Sequence, residues 1–449
     1  MAAVIFAAYA TISVARFERL ANKSWDTAIF TQIVTAYSHF SVPIVDLKGV
    51  GFNAFGDHFS PLLVVFGPFY RLFPTPVTLL VGQALLVAVS VVVVMRAAIK
   101  HVSPAAGVAL GVAYGLSWGL QTGINSEFHE YCLAVPLLAL AGAAYLDRRW
   151  VWGAVWSAGL LLVKEDLGLM VVAIGVVALV CRERRWGIGL VVAGAVGFVL
   201  TTVVIIPAFN PTDGYDYWRR FSSGSSQSLD GRFVSLLSDM VLPADPKLHT
   251  LLLTFAITGF LALRSPFVLL AVPNLVERFA GDVHFYWGTD WHYSMPLMPI
   301  MFIAVIDAIV RTRSSRPAWM AAYARQVPAV AVAVALVLCL QFPVADLFKG
   351  STYQPSPLQA QADAAMALIP DGTSVETDIG LLDQLAADHH VYFIGDSGPV
   401  APDYVLIDGA AGWSAPPNDA ARYAMQLHPG TTYRNIYDEA GYELAKRVG

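Results

Sequence analysis

Charge is what this sequence is short of. Of its 449 residues only 14% are Asp, Glu, Lys or Arg, 56% are hydrophobic, and the mean hydropathy is +0.58. A soluble domain usually carries about 25% charged residues. A deficit spread over most of the chain points to lipid as the solvent. There is no basic domain and no interleaving of basic with aromatic residues, which argues against a nucleic-acid partner. The net charge of -5 says little, because the charges are segregated along the chain. Cysteine is also scarce. Cys132, Cys181 and Cys339 lie far apart in or beside apolar runs, show no zinc or disulfide spacing, and read as small core residues. No Gly-rich phosphate loop, nucleophile elbow or transporter-type internal repeat occurs. The first apolar run, Ala2 to Val14, has no basic n-region before it. It therefore reads as a membrane helix rather than a signal peptide.

What is present is apolar length. A helix needs about 20 apolar residues to cross the hydrocarbon core. Runs of that order lie near 2–17, 76–98, 104–122, 131–147, 150–163, 166–181, 187–208, 248–263, 265–276, 294–311 and 327–347. They predict an α-helical polytopic membrane protein with about eleven transmembrane helices. Alternate crossings put Arg96/Lys100, Arg148/Arg149, Arg182/Arg184/Arg185, Arg264 and Arg311/Arg313/Arg316/Arg325 on one side, which the positive-inside rule makes the cytoplasm. Asp26, Asp57, Glu127, Glu130, Glu165, Asp166, Glu277, Asp282 and Asp290 fall on the other. Arg16, Arg19 and Lys23 run against this pattern. The N-terminus is expected inside and the tail outside.

Two units follow: a membrane domain over 1–347 and a soluble outer domain over 348–449. Within the first, outer segments span 18–75, 209–247 and 277–293. The first is amphipathic, with Ser24 as an N-cap and Ile29, Phe30, Ile33 and Tyr37 at helical spacing, suiting a helix in the interface plane. The second is rich in Ser, Gly, Asp and aromatics and reads as a loop or lid. After 348 the segments QAQADAAMALI, TSVET, 379–388, VYFI and DYVLID alternate helix and strand, which predicts a small parallel α/β unit.

Polar groups at membrane depth are costly and usually functional. Here they collect at one side, whereas an ion or proton pathway would need them along the whole crossing. Asp307 is the chief exception. Asp26, in Trp25-Asp26-Thr27-Ala28-Ile29-Phe30-Thr31-Gln32, either takes a proton from an acceptor hydroxyl or favours its helix N-terminus electrostatically. Asp57 and His58 in GDHFSP form a turn, bind a sugar or hold a metal. Glu127 and Glu130 in NSEFHE are three apart and share a face if helical. Metal ligation by His58 with Glu127, His129 or Glu130 is one reading, and a solvated connector is the other. Lys164 in KED pairs with a lipid-linked phosphate or with its acidic neighbours. Arg278, Arg219 and Arg220 are further phosphate candidates. Trp218, Tyr286, Trp287, Trp291 and Tyr293 suit either an aromatic belt or sugar stacking.

These motifs carry a resemblance. WDTAIFTQ, GDHFSP, NSEFHE and KED are similar to a bacterial family of predicted membrane proteins of unknown function. The layout of an early outer-loop Asp, many spans and an outer soluble tail resembles the GT-C superfamily of membrane glycosyltransferases. The resemblance implies a polyprenyl-phosphate sugar donor and a glycan, lipid or protein acceptor, met at the outer face of a bacterial cell membrane. It implies direct inverting attack with Asp26 as general base and Asp57 as a second acidic residue. Lys164 or Arg278 would face the donor phosphate, and Trp25, Gln32, His58, Glu127, His129, Glu130, Trp291 and His292 would shape the substrate site. It implies no nucleotide, and leaves a divalent metal open. A lipid or polysaccharide flippase, a non-catalytic assembly protein, and a metal-dependent lipid phosphotransferase using His58, His129, His284 and His292 are the competing readings.

Overall fold

The computed structural model describes residues 1–22, 24–212, 214–217, 238, 240–316, 318–413 and 416–449. Lys23, Trp218, Arg219 and Arg220 lie outside the described residues.

The chain is a mostly helical, multi-pass membrane protein. Helix starts follow local chemistry. Thr75 Oγ1 accepts from the Val77 N–H at 3.4 Å and Ser103 Oγ from the Ala106 N–H at 3.2 Å, each followed by a proline at the first helical position. Among the described residues, three helices are long and apolar enough to cross a membrane: Pro76–His101, Arg184–Phe209 and Ala318–Cys339. A fourth is added if the pair His284–Ser294 and Leu297–Thr312, bent by 69°, forms one span.

The count of eleven is therefore larger than the number of clear spans, for reasons visible in the backbone. The first helix, α1 (Ala2–Glu18), has 17 residues, and Tyr131–Leu146 has 16. The run at 104–122 is two helices, Pro104–Gly115 and Trp118–Asn125, separated at Leu116 and Ser117. The run at 248–263 ends where Gly259 and Phe260 turn left-handed (φ 54° and 57°). Short 3-10 turns follow it to Leu270.

The helices Leu167–Val180 and Arg184–Val199 approach each other through glycine. A Cβ on Gly175 would stand 2.7 Å from the Val191 nitrogen and 2.8 Å from the Gly187 oxygen. One on Gly194 would stand 2.6 Å from the Gly168 oxygen. Small residues at such crossings let backbones touch, which is the main attraction available between helices in lipid. Gly175→Leu should separate the pair and cost about 1–3 kcal/mol. A lower thermal midpoint in detergent would show this, and an unchanged midpoint would refute the close-contact account.

The tail forms a five-stranded mixed sheet ordered β2-β1-β3-β5-β4. Strands β1 (Ser374–Thr377), β2 (His390–Phe393) and β3 (Tyr404–Asp408) are parallel, as the alternation predicts. Strands β4 (Tyr433–Glu439) and β5 (Tyr442–Arg447) join antiparallel, so the expectation of an all-parallel unit is corrected. Their hairpin turns on Ala440 and Gly441, both left-handed, the backbone a two-residue hairpin loop requires. Ala in place of the usual Asn or Asp hid this signal. The helix expected over 379–388 is a single turn, Leu382–Leu385.

The sheet sits on the segment 18–75, whose helix α2 (Asp26–Ser38) carries Asp26. Gln32 donates from Nε2 to the Val391 oxygen of β2 at 2.9 Å and accepts from the Leu47 N–H at 3.3 Å. Asn22 donates to Asp383 at 2.6 Å, and Gln384 donates to the Phe17 oxygen at 2.7 Å. The Trp25 and Phe393 rings meet edge-on at 5.3 Å. Gln32, expected among the substrate-binding residues, is instead a bracket between this segment and the sheet. Gln32→Ala should speed proteolysis of the tail without unfolding the membrane helices, which a limited-digestion time course would detect.

Candidate functional site

The polar motifs, far apart in sequence, surround one cavity of about 430 Å³. Asp26, Asp57, His58, His129, Lys164, Arg278, Trp25, Trp291 and His292 all line it. Glu127, Glu130 and Gln32 do not, and act from behind.

Asp26 opens helix α2. The N-cap is Trp25 rather than the expected Ser24, whose hydroxyl sits one residue further back and accepts from the Asp26 N–H at 3.0 Å. No cation pairs with the Asp26 carboxylate among the described residues. Burial first, and the Glu127 carboxylate second, push it up to about 7. Glu127 is left-handed at φ 71°. Its carboxylate accepts from the Ser24 N–H at 2.8 Å and the Thr27 N–H at 3.5 Å, capping the same helix end. Glu127 and Glu130 do not share a face. The helix ends at Asn125, the next begins at Tyr131, and the irregular link between them, turned at the left-handed Glu127, sends the two carboxylates to different partners. The link is gripped by Gln83, fully buried within Pro76–His101. Gln83 donates to the Glu127 oxygen at 2.8 Å and accepts from the His129 N–H at 3.0 Å.

Glu130 is fully buried and stands 2.8 Å from both the Lys164 ammonium and Nδ1 of His129. Lys164 thus pairs across helices rather than with its neighbours in KED, and also lies 4.9 Å over the Tyr131 ring. Burial opposes its charge, but Glu130, Glu165 and Asp166 outweigh burial and hold the ammonium protonated. Glu130 is held well below the usual carboxylate range, since His129 and Lys164 outweigh its own burial.

A second network also lines the cavity. His58 Nδ1 lies 2.6 Å from Glu165, and the Phe59 N–H donates to the same carboxylate at 3.1 Å. The Tyr217 hydroxyl donates to Asp57 at 2.9 Å and lies 2.8 Å from His58 Nε2, and Lys48 binds Asp57 directly. Burial would raise Asp57, but His58 and Lys48 overcome it and keep the carboxyl well below its ordinary value. Both nitrogens of His58 are thereby engaged, so a metal set built on His58 is not assembled. Asp26, His129 and His292 do come together, with one donor atom of each lying within 4.8 Å of the others.

Arg278 is buried and braces its own loop. Nε donates to the Tyr286 oxygen at 2.7 Å, Nη2 to the Gly288 oxygen at 2.8 Å and Nη1 to Ser294 Oγ at 3.0 Å. Burial lowers its pKa to about 10, which leaves it charged at neutral pH. Sequence reasoning passed over Lys48, Gln83 and Tyr217, and also Tyr215, whose hydroxyl donates to Glu165 at 3.0 Å. A buried Gln inside an apolar span was the available signal for Gln83. The tyrosines carried none beyond an aromatic-rich loop.

The family model described as "Predicted membrane protein (DUF2079)" matches residues 16–444. The chain belongs to this family. No curated protein matches the sequence of this DUF2079 member. Its fold is similar along its full length to GT-C glycosyltransferases. ArnT from Cupriavidus metallidurans bound to undecaprenyl phosphate aligns with TM-score 0.57 and 16% identity over 100% of this chain and 98% of ArnT. The apo form of ArnT aligns with TM-score 0.55 and 16% identity over 99% and 97%. Arabinofuranosyltransferase AftD from mycobacteria aligns at 15% identity over 100% of this chain but 40% of its own, with TM-score 0.44. The identities show likeness of fold alone.

Proposed function

We propose that this DUF2079 protein is an inverting membrane glycosyltransferase that takes a sugar from a polyprenyl-phosphate donor and passes it to an envelope glycan, lipid or protein. One observation carries the reading: the Asp26 carboxylate, paired with no cation among the described residues, shares a cavity wall with the positive charges of Lys164 and Arg278. The fold held in common with a protein bound to undecaprenyl phosphate supports it.

In this reading Asp26 takes the proton of the acceptor hydroxyl as the oxygen attacks the anomeric carbon. The bond from that carbon to the phosphate oxygen breaks on the opposite face, inverting its configuration. Lys164 and Arg278, preset by their own partners, stabilise the charge left on the polyprenyl phosphate. Trp25 and Trp291 offer ring faces to the sugar, and the Asp57–Lys48–His58 network fixes the first outer segment around it. About eleven crossings, a cytoplasmic N-terminus, a membrane domain over 1–347 and an outer domain over 348–449 complete the proposal, placed in a bacterial cell membrane.

The test is transfer by the purified full-length protein in nanodiscs, given a panel of polyprenyl-phosphate sugars and envelope-glycan acceptors. Release of free polyprenyl phosphate in step with glycosylated acceptor is the expected result. Lipid movement between leaflets without release would turn the reading toward transport.

A further inference from the structure

We infer that the far end of the helix bundle holds the headgroup of an anionic phospholipid, of the phosphatidylglycerol type, with its phosphodiester between Arg148 and Arg311. The place is a second cavity, of about 160 Å³. Three helices run from the first cavity to this one. Tyr131–Leu146 starts at Tyr131 in the first and ends at Tyr145 and Leu146 in the second. Leu167–Val180 follows Lys164 and Glu165 and reaches Val177 and Ala178. Leu297–Thr312 follows Tyr293 and reaches Asp307 and Arg311. The 16 residues of the first, at about 1.5 Å each, set its ends about 24 Å apart, most of the hydrocarbon thickness. The second cavity therefore lies at headgroup level in the opposite leaflet, which the orientation proposed above makes the cytoplasmic one.

Its cations are placed against a local preference. Tyr131–Leu146 ends with the Arg148 N–H donating to the Tyr145 oxygen at 3.0 Å and the Arg149 N–H to the Ala144 oxygen at 2.8 Å. Leu167–Val180 ends the same way, with Arg182 donating to Leu179 and Glu183 to Ala178, both at 2.9 Å. Such ends require a left-handed residue, usually glycine. Arginine takes both positions here, at φ 57° for Arg148 and 68° for Arg182, with a steric cost that glycine would not meet. Arg148 lines the cavity, and its side chain forms no hydrogen bond or ion pair among the described residues. Arg149 already supplies a cation for the helix C-terminus. Arg311 is turned to the cavity from the other side. Asp307 accepts from its Nε at 2.5 Å and from Ser265 Oγ at 2.6 Å, so Nη1 and Nη2 lie outside this pair. Glu183, the other carboxylate of the lining, is an acceptor for the glycerol hydroxyls of the headgroup.

The surroundings favour a lipid over a free anion. Lys100, Arg149, Arg264 and Arg313 stand close in sequence to lining residues and add positive charge at this end, and basic pockets between membrane helices select anionic headgroups. The Tyr145 and Trp150 rings meet at 5.5 Å, amphipathic rings of the kind that sit at headgroup level. On the helix Trp150–Gly159, Val151, Trp152 and Val155 are half-exposed, which gives an acyl chain an apolar track beside the cavity.

The test uses full-length protein in nanodiscs of equal phosphatidylcholine and phosphatidylglycerol, released into mild detergent and purified. Native mass spectrometry then counts the lipid that stays bound. Phosphatidylglycerol should be retained in preference to phosphatidylcholine. Arg148→Gly and Arg311→Gln should each weaken that retention about tenfold, the worth of one charge-assisted hydrogen bond. Arg96→Gln, outside the lining, should leave it unchanged. Arg148→Gly also removes the left-handed arginine, so its thermal midpoint without anionic lipid should match or exceed that of the wild type. Equal retention of the two lipids, or equal retention by the folded variants, would overturn the site. Displacement of the lipid by inorganic phosphate would mark a free-anion site and overturn it too. A lowered midpoint for Arg148→Gly with unchanged retention would assign that arginine to the helix end alone and have the same consequence. No arm of the test depends on sugar transfer.

Discussion

Asp26→Asn should lower the rate of sugar transfer by about 10²–10⁴-fold, the usual contribution of a positioned general base. The substitution keeps the shape of the side chain, the Ser24 bond to the Asp26 amide and the Glu127 cap on helix α2. It removes only the group that accepts the proton. The loss should fall on kcat, with little change in donor KM, because the phosphate is held by other residues. Initial rates of polyprenyl phosphate release at saturating donor would measure it, with a thermal melt confirming the fold. A folded Asp26→Asn variant turning over at the wild-type rate would remove Asp26 from its assigned role.

Glu130→Ala should be the most damaging single change to stability. Glu130 is the nearest anion to the Lys164 ammonium and to His129, and both lie in water-poor surroundings. Breaking a buried pair by deleting one member strands the other charge and typically costs about 3–5 kcal/mol. The expected readout is a large fall in detergent-solubilised yield and thermal midpoint. The double variant Glu130→Ala with Lys164→Met removes the stranded charge and should recover part of the loss. If the single variant were as stable as the wild type, the ion pair would have no structural part, and Lys164 would be free to act solely on substrate.

The motifs were legible in the sequence because their residue types are misplaced. Asp, His, Glu and Lys between apolar runs stand out against lipid, and Asp26, Asp57, His58, His129 and Lys164 were all recognisable that way. Their pairing was not. Whether Lys164 meets Glu165 or Glu130 depends on how two helices cross. Whether Glu127 and Glu130 share a face depends on a left-handed residue that only a local break explains. Gln32 shows the same limit from the other side: a polar residue one helical turn from the cavity was drawn to a strand more than 350 positions away. In the tail, three parallel strands were readable from their β-branched and aromatic runs. The last two, YRNIYDE and YELAKR, mix charge and aromatics with no apolar run, and pair because β5 lies against the buried β3.

The seat of the C-terminal sheet on α2 has a mechanical meaning. Val391, Phe393 and Asp383 grip Gln32, Trp25 and Asn22, which flank Asp26 on both sides in sequence. Force applied to the tail would be passed directly to the helix that opens on Asp26, as well as to the end of α1 through Gln384. The last hundred residues thus form a handle on the cavity: a large molecule that seized the sheet could loosen or clench the site without entering it.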